Sequence, residues 1–162
     1  MNAKQPGRSF GRGLLGRPHR QVSGSASVEL ALLMPLLFYI FFAVFDYGRM
    51  TAHGLVLASA ARAGAQYGAR SEALAGDSAG ISAAVQADAA DIGSVSVASA
   101  TICRCGASDT TVNCAQTNAC ATGVHKAVFV EVVATAPFAT VVPYPGIPAS
   151  VPMSSRAEFR VK

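Results

Sequence analysis

The sequence has no tryptophan and few charged residues, since Asp, Glu, Lys and Arg together make up only 14% of it. The first acidic residue is Glu29, whereas five of the thirteen basic residues precede Gly24. The rest of the chain contains eight basic and nine acidic residues. The excess of positive charge therefore lies in the N-terminal arm. Nucleic-acid binding usually requires basic residues clustered on a folded face, with aromatic side chains for stacking. The charge distribution therefore argues against nucleic-acid binding.

The sequence also lacks a recognisable catalytic constellation. Its three histidines, His19, His53 and His125, are scattered between the basic arm, a helical stretch and the edge of a strand. The glycine-rich run "GRGLLG" lies in the arm and precedes no βα unit, so it does not indicate a phosphate-binding loop. We therefore predict a protein that is not an enzyme and that carries no cofactor and no metal.

The segment Leu30–Phe45, "LALLMPLLFYIFFAVF", is strongly apolar and contains no charged residue. Together with the residues before it, this run approaches the ~20 residues that a membrane-spanning helix needs. Basic residues that flank such a helix stay in the cytoplasm. We predict a cytoplasmic leader over residues 1–24 and a transmembrane helix over residues 25–46, in which Pro35 removes one backbone hydrogen bond.

Two other interpretations of the apolar run fit the sequence less well. A buried core helix of a soluble protein would usually be shorter and would lack the basic arm. A cleavable secretory signal could use the small residues "ASA" at positions 58–60. This site follows the apolar run by more than a dozen residues with charged residues between, which argues against cleavage there.

The helical pattern continues beyond the apolar run, and we predict an extracytoplasmic extension over residues 47–75. Within it Ala60, Gly64 and Gly68 recur every four residues and so form a strip of small side chains. Such a strip lets another element approach the helix closely. The strip packs either on the chain's own C-terminal domain, which we favour slightly, or on a partner helix.

Residues 76–162 predict a small α+β domain. A break at residues 76–80 precedes a short helix, and three later stretches have strand patterns: residues 94–102, 125–138 and 157–162. The proline-rich segment 141–152 is predicted to be a loop, or an edge excluded from strand pairing. The predicted fold is thus a long N-terminal helix, transmembrane in its first half and amphipathic in its second, packed on a small antiparallel sheet with a disulfide-stapled hairpin.

The four cysteines, Cys103, Cys105, Cys114 and Cys120, occupy one short window. Disulfides persist outside the cytoplasm, and each closure here would be worth ~2–4 kcal/mol. Four cysteines allow three connectivities, of which a nested pair, Cys105–Cys114 inside Cys103–Cys120, suits a hairpin. A zinc site is the alternative, but the spacing lacks the C-x₂-C pairs of typical zinc ribbons.

The stretch from Gly24 to Glu29, "GSASVE", resembles a prepilin processing site, with a basic leader before it and an apolar helix after it. The longer stretch "GSASVELALLMPLLFYIFFAVFDYGRM" resembles the opening of the TadE-like family of the tight adherence, or Flp-type, pilus machinery. The matching positions are Gly24, Val28, Glu29, Ala31, Pro35, Asp46, Gly48 and Arg49. The segments "ASAARAGAQYGA" and "SSRAEFRV" resemble family members more loosely.

This resemblance implies a minor pseudopilin in type IV pilus biogenesis and cell adhesion. Such a protein is a single-pass protein of the inner membrane with its C-terminal domain in the periplasm, and the surface pilus is a second location. The implied partners are the prepilin peptidase, other pseudopilins, the assembly platform proteins and the major Flp-type pilin. Residue 25 is Ser where many type IV pilins have Phe, which leaves N-methylation of the new terminus open.

Cleavage after Gly24 would create an ammonium group at Ser25, four residues before the Glu29 carboxylate. Opposite charges attract strongly at low dielectric, and each charge alone would be costly there. The pair could form within one subunit or between staggered subunits. Alternatively, Glu29 is a tolerated carboxylate that snorkels to the membrane surface. The alternative function is an uncleaved, signal-anchored extracytoplasmic binding domain.

Overall fold

The computed structural model describes residues 23–106, 108, 110–116 and 119–162, and for residues 23–25 it describes the backbone alone. The chain divides into two compact units between Phe38 and Tyr39. The helices are α1 (Ser23–Gly68), α2 (Glu72–Ala75), α3 (Ser78–Asp88) and a 3₁₀ turn (Ala90–Ile92). The strands are β1 (Ser96–Cys105), β2 (Thr111–Val112), β3 (Lys126–Ala139) and β4 (Ser150–Arg160). The predicted leader lies outside the described residues except for its last two positions.

Helix α1 is 46 residues long and contains Pro35. It confirms the predicted long N-terminal helix, but it ends at Gly68 rather than continuing to residue 75. The cause is local, because the Ser71 hydroxyl accepts a hydrogen bond from the Leu74 N–H at 3.3 Å and so caps a new helix, α2. Serine is among the preferred residues at a helix N-terminus, and this cap separates α2 from α1.

The break between α2 and α3 is shorter than the predicted residues 76–80. Asp77 caps α3 by accepting the Gly80 N–H at 2.9 Å, so Gly80 itself is helical. The Tyr67 hydroxyl donates to the same carboxylate at 3.0 Å, which ties the end of α1 to the start of α3. The Gly80 N–H and the Tyr67 hydroxyl stabilise the ionised carboxylate, and they lower the pKa of Asp77 although partial burial opposes this.

The four strands form one antiparallel sheet in the order β2-β1-β3-β4. The sequence predicts three of them. It misses β2, and it starts the last strand at residue 157, whereas β4 starts at Ser150 and includes Pro152.

Pro152 fits in β4 because it lies directly opposite Pro137 of β3. Opposite residues of two antiparallel strands alternate between hydrogen-bonded and non-hydrogen-bonded pairs. Two pairs between β3 and β4 are hydrogen-bonded: the Thr140 N–H donates to the Ala149 carbonyl, and the Val161 N–H donates to the Val128 carbonyl. The proline pair is an odd number of positions from both, so it is a non-hydrogen-bonded pair that requires no N–H. The prolines therefore do not interrupt the pairing between β3 and β4.

The core lies between the C-terminal half of α1, helix α3 and the central strand β3. Alternate residues of β3 are buried on one face, as expected for a half-buried strand. The core side chains are mostly Ala and Val with two larger aliphatic residues: Leu57, Ala60, Ala61, Ala65, Ala75, Ile81, Val85, Ala89, Val95, Val130, Val132, Ala134, Ala136 and Ala157. Small side chains let α1 lie close to its neighbours. The predicted packing of the helix on the sheet is thus confirmed.

The disulfides join Cys103 to Cys114 and Cys105 to Cys120, with Cα–Cα distances of 5.2 and 5.4 Å. The predicted disulfides are confirmed, but the nested pairing is wrong because the two loops interleave. The reason is β2, which pairs with β1 so that Val112 lies opposite Cys103 and brings Cys114 to that edge of β1. Cys105 is thereby left to bond with Cys120.

Candidate functional site

The predicted processing segment forms the start of α1. The backbone of Gly24 and Ser25 is helical, and Glu29 is an exposed residue further along the same helix. Residues four apart lie on the same face of a helix, so Ser25 and Glu29 share a face. Gly24 is the second residue of α1 and so belongs to the first turn, whose backbone N–H groups have no partner within the helix.

The apolar run Leu30–Phe45 exposes nearly all of its large side chains. The best 18-residue window of α1 has a mean hydropathy of 2.3, and none of that window is buried. A contiguous apolar surface of this kind marks contact with a membrane or with another protein. The described part of the chain therefore contains one helix that is long and apolar enough to cross a membrane.

Asp46, directly after this run, is only 4% exposed. Its carboxylate accepts the Val141 N–H at 2.9 Å, the Tyr144 hydroxyl at 3.1 Å and an Arg49 guanidinium N–H at 3.0 Å. A buried carboxylate is tolerated only when it is hydrogen-bonded and paired, as it is here. Asp46 thus fixes the loop 140–149 against α1.

The sequence identifies Asp46 and Arg49 only as the polar end of the apolar run and as positions of the family resemblance. It misses the contacts of Asp46 with Val141 and Tyr144 because 95 to 98 residues separate the partners. No local pattern marks such a pair. The nearest sequence signal is an acidic residue at the end of a long apolar helix, where an unpaired charge would be costly.

An apolar cavity of about 220 Å³ adjoins Asp46. Helix α1 lines it with Ala43, Tyr47 and Met50, and Ile147 and Val151 line it from the opposite side. The rings of Tyr144 and Tyr39 meet edge to face with centroids 5.6 Å apart, and the Arg49 guanidinium lies 5.4 Å from the Phe138 ring centroid. The carboxylate already accepts three donors, and the rest of the wall is apolar. This arrangement favours packing or binding of an apolar group over acid–base chemistry.

The predicted helix-packing residues Ala60, Gly64 and Gly68 face the chain's own domain. Ala60 is fully buried. A Cβ added at Gly64 would lie 2.5 Å from a methyl of Val85, and one added at Gly68 would lie 3.0 Å from a methyl of Val130. Within the described structure this strip is therefore used for contact with α3 and β3. Pro35, a further predicted helix-packing residue because it removes one backbone hydrogen bond, lies inside α1.

The described structure is that of an α+β protein. It has one apolar N-terminal helix that could span a membrane, and it has an antiparallel sheet with two disulfides. The model of the TadE-like protein family matches residues 24–66, and this match confirms the resemblance. It supports a role connected with the tight adherence pilus. No curated protein and no solved structure gave a significant match. Among the described residues, no group of three or more side chains could hold a metal ion.

Proposed function

We propose that this chain is a minor pseudopilin that acts in the assembly of a tight adherence pilus and is cut after Gly24 by a membrane prepilin peptidase. The observation that carries this proposal is the family match, which begins at Gly24 and continues to residue 66. All of the matched residues belong to the single helix α1. The protein has a structural role in assembly and no catalysis of its own.

The orientation follows from the charges and the disulfides. The basic arm before Gly24 stays in the cytoplasm, and Leu30–Phe45 crosses the inner membrane. The domain that carries the Cys103–Cys114 and Cys105–Cys120 bonds then lies in the periplasm, where disulfides persist. This topology places the bond after Gly24 at the cytoplasmic surface of the membrane.

Cleavage changes the electrostatics at the start of α1. The new ammonium group of Ser25 and the Glu29 carboxylate attract each other in a low-dielectric environment, and either charge alone would be costly there. The pair neutralises this end of the helix within one subunit. Between staggered subunits, it would instead fix the register of one helix against the next.

The exposed apolar surface of α1 has a second use in this role. While the subunit is in the membrane, lipid covers Leu30–Phe45. When subunits assemble, the same surface packs on neighbouring apolar helices, such as those of other pseudopilins or of the major pilin. Close packing, rather than exclusion of water, drives association between helices in lipid.

The proposal is tested by replacing Gly24 with Ala in cells that contain the peptidase. Processing and piliation should be lost, whereas membrane insertion should remain because the apolar run is unchanged. Processing is read from the electrophoretic shift of the membrane-extracted protein, and insertion from its resistance to alkaline extraction. Gly48→Ala is the matched control, since a Cβ there would meet nothing within 4 Å. Normal processing of Gly24→Ala would refute the site assignment and favour the uncleaved, signal-anchored binding domain.

A further inference from the structure

The loop 140–149 exposes apolar side chains although it lies outside the predicted membrane helix. Val141 is 56% exposed and Ile147 is 52% exposed. The surrounding sequence carries no charge at all, since residues 132–155 contain no Asp, Glu, Lys or Arg. A water-facing loop usually carries polar or charged residues, so this composition indicates a surface that is not simply solvated.

Side-chain contacts hold this loop beside the end of the apolar run. Tyr144 touches the ring of Tyr39, which belongs to Leu30–Phe45, and its hydroxyl donates to Asp46. Tyr39 and Asp46 are seven residues apart, or about 10 Å along the helix axis at ~1.5 Å per residue. The loop therefore lies along the last two turns of the segment that is proposed to cross the membrane.

The backbone of the loop has few donors left to satisfy. Pro143, Pro145 and Pro148 have no N–H. The Val141 N–H is donated to Asp46, and the Ile147 N–H is donated to the Tyr144 carbonyl at 3.1 Å. Irregular backbone is costly near lipid because unsatisfied polar groups cannot bond to water there. The three prolines and the two hydrogen bonds reduce that cost for this loop.

We propose that the loop 140–149 is a second membrane contact, which inserts Val141 and Ile147 into the interfacial region of the leaflet where α1 leaves the bilayer. Tyr47 and Tyr144 then lie at the level of the headgroups, where tyrosine is enriched. The occupant of this surface is lipid, because the exposed residues continue the apolar surface of α1. The buried Asp46 sets the depth of the loop through its bonds to Val141 and Tyr144.

This inference rests on the proposed membrane span of α1, but not on cleavage after Gly24. Its consequence concerns the domain as a whole. The C-terminal domain would have two attachments to the membrane, through α1 and through the loop 140–149. Two attachments restrict the orientation of the domain on the membrane. Extraction of the subunit into a pilus would then have to release the loop as well as the helix.

The test uses the absence of tryptophan, since any tryptophan introduced into the chain is a single reporter. The full chain carrying Ile147→Trp is reconstituted into vesicles of phosphatidylcholine and phosphatidylglycerol, with phosphatidylcholine brominated either near the headgroup or near the chain end. Bromine quenches tryptophan only on close approach. Leu33→Trp, at a position 53% exposed inside the apolar run, is the control for the span. Val124→Trp is the control for the aqueous face, because Val124 is 42% exposed and precedes the start of β3, whereas the loop 140–149 follows the end of that strand.

Tryptophan at residue 147 should lose emission with the lipid brominated near the headgroup and should be shielded from acrylamide. Tryptophan at residue 33 should lose emission with bromines near the chain end, and tryptophan at residue 124 should be quenched by acrylamide alone. Adding Asp46→Ala to Ile147→Trp should reduce the loss caused by lipid, because the loop is released.

Quenching at residue 33 without quenching at residue 147 overturns the loop contact and leaves the span intact. Absence of quenching at both positions overturns the span and, with it, the loop contact. Blue-shifted emission at residue 147 that responds to neither lipid nor acrylamide shows that protein covers the loop, which also overturns the proposal in favour of a contact between copies.

Discussion

Gly64 is the residue that lets α1 lie against α3, and replacing it with alanine should test that packing directly. The added Cβ would lie 2.5 Å from Val85 Cγ2 and 3.3 Å from the Ile81 carbonyl oxygen. Both Val85 and Ile81 are fully buried. Valine in a helix has one strongly preferred χ1 rotamer, so its methyl group cannot simply swing away. The helices therefore have to move apart.

The expected size of the effect is the difference between two opposing contributions. Overpacking a core lowers the free energy of unfolding by about 1–3 kcal/mol. Replacing Gly with Ala in a helix interior raises it by about 1 kcal/mol. Because 2.5 Å is far inside normal contact, we expect Gly64→Ala to lower the free energy of unfolding by about 1–2 kcal/mol. In the matched control, Gly48→Ala, the Cβ meets nothing within 4 Å. That variant should gain about 0.5–1 kcal/mol, so the two variants should shift in opposite directions.

The measurement is urea unfolding of the full chain in a mild detergent, followed by tyrosine fluorescence. Without tryptophan, tyrosine emission is not masked, and Tyr67 packs against the core. If Gly64→Ala were as stable as Gly48→Ala, the packing of this strip on α3 would be refuted. The interpretation of the strip as a surface for a partner helix would then be favoured.

Three further predictions concern the disulfides, the helix cap and the carboxylate near the proposed processing site. The double variant Cys105→Ser/Cys120→Ser opens a loop with a sequence separation of 15 and should cost about 3 kcal/mol of unfolding free energy; an unchanged urea midpoint would contradict this. The pKa of Asp77 is lowered in the folded state, so its contribution to stability is present above the unfolded pKa and is lost as pH falls through the folded one. Accordingly, Asp77→Asn should flatten the acid side of a stability–pH curve, and an identical slope in both proteins would argue against the cap. Glu29→Gln should reduce piliation more than insertion, measured by pilus counts and by alkaline extraction, whereas unchanged piliation would favour the snorkelling carboxylate.

The elements that follow from local patterns could be predicted from the sequence. The apolar run and the small-residue strip predict α1, and residues 125–138 predict β3 almost to its ends. β2 could not be predicted, because a strand of two residues carries no periodicity. The wrong disulfide pairing has the same cause, since β2 decides which edge of β1 Cys114 reaches.

Other features depend on contacts between distant parts of the chain. Pro152 argues against a strand by itself, and only its position opposite Pro137 makes it acceptable. In the same way, Asp46 is visible in the sequence as a boundary, whereas its partners in the loop 140–149 are not. The predicted processing segment is the converse case, because its motif is contained in a few consecutive residues from Gly24 to Glu29.

The central claim is that the chain is cut after Gly24, and the intact mass of the membrane-extracted protein tests it most directly. The protein is expressed in cells with an active prepilin peptidase and, as a control, in cells without it. We expect a species that begins at Ser25 in the first cells and a species that retains the basic arm in the second. Retention of the residues before Ser25 in cells with the active peptidase would contradict the account.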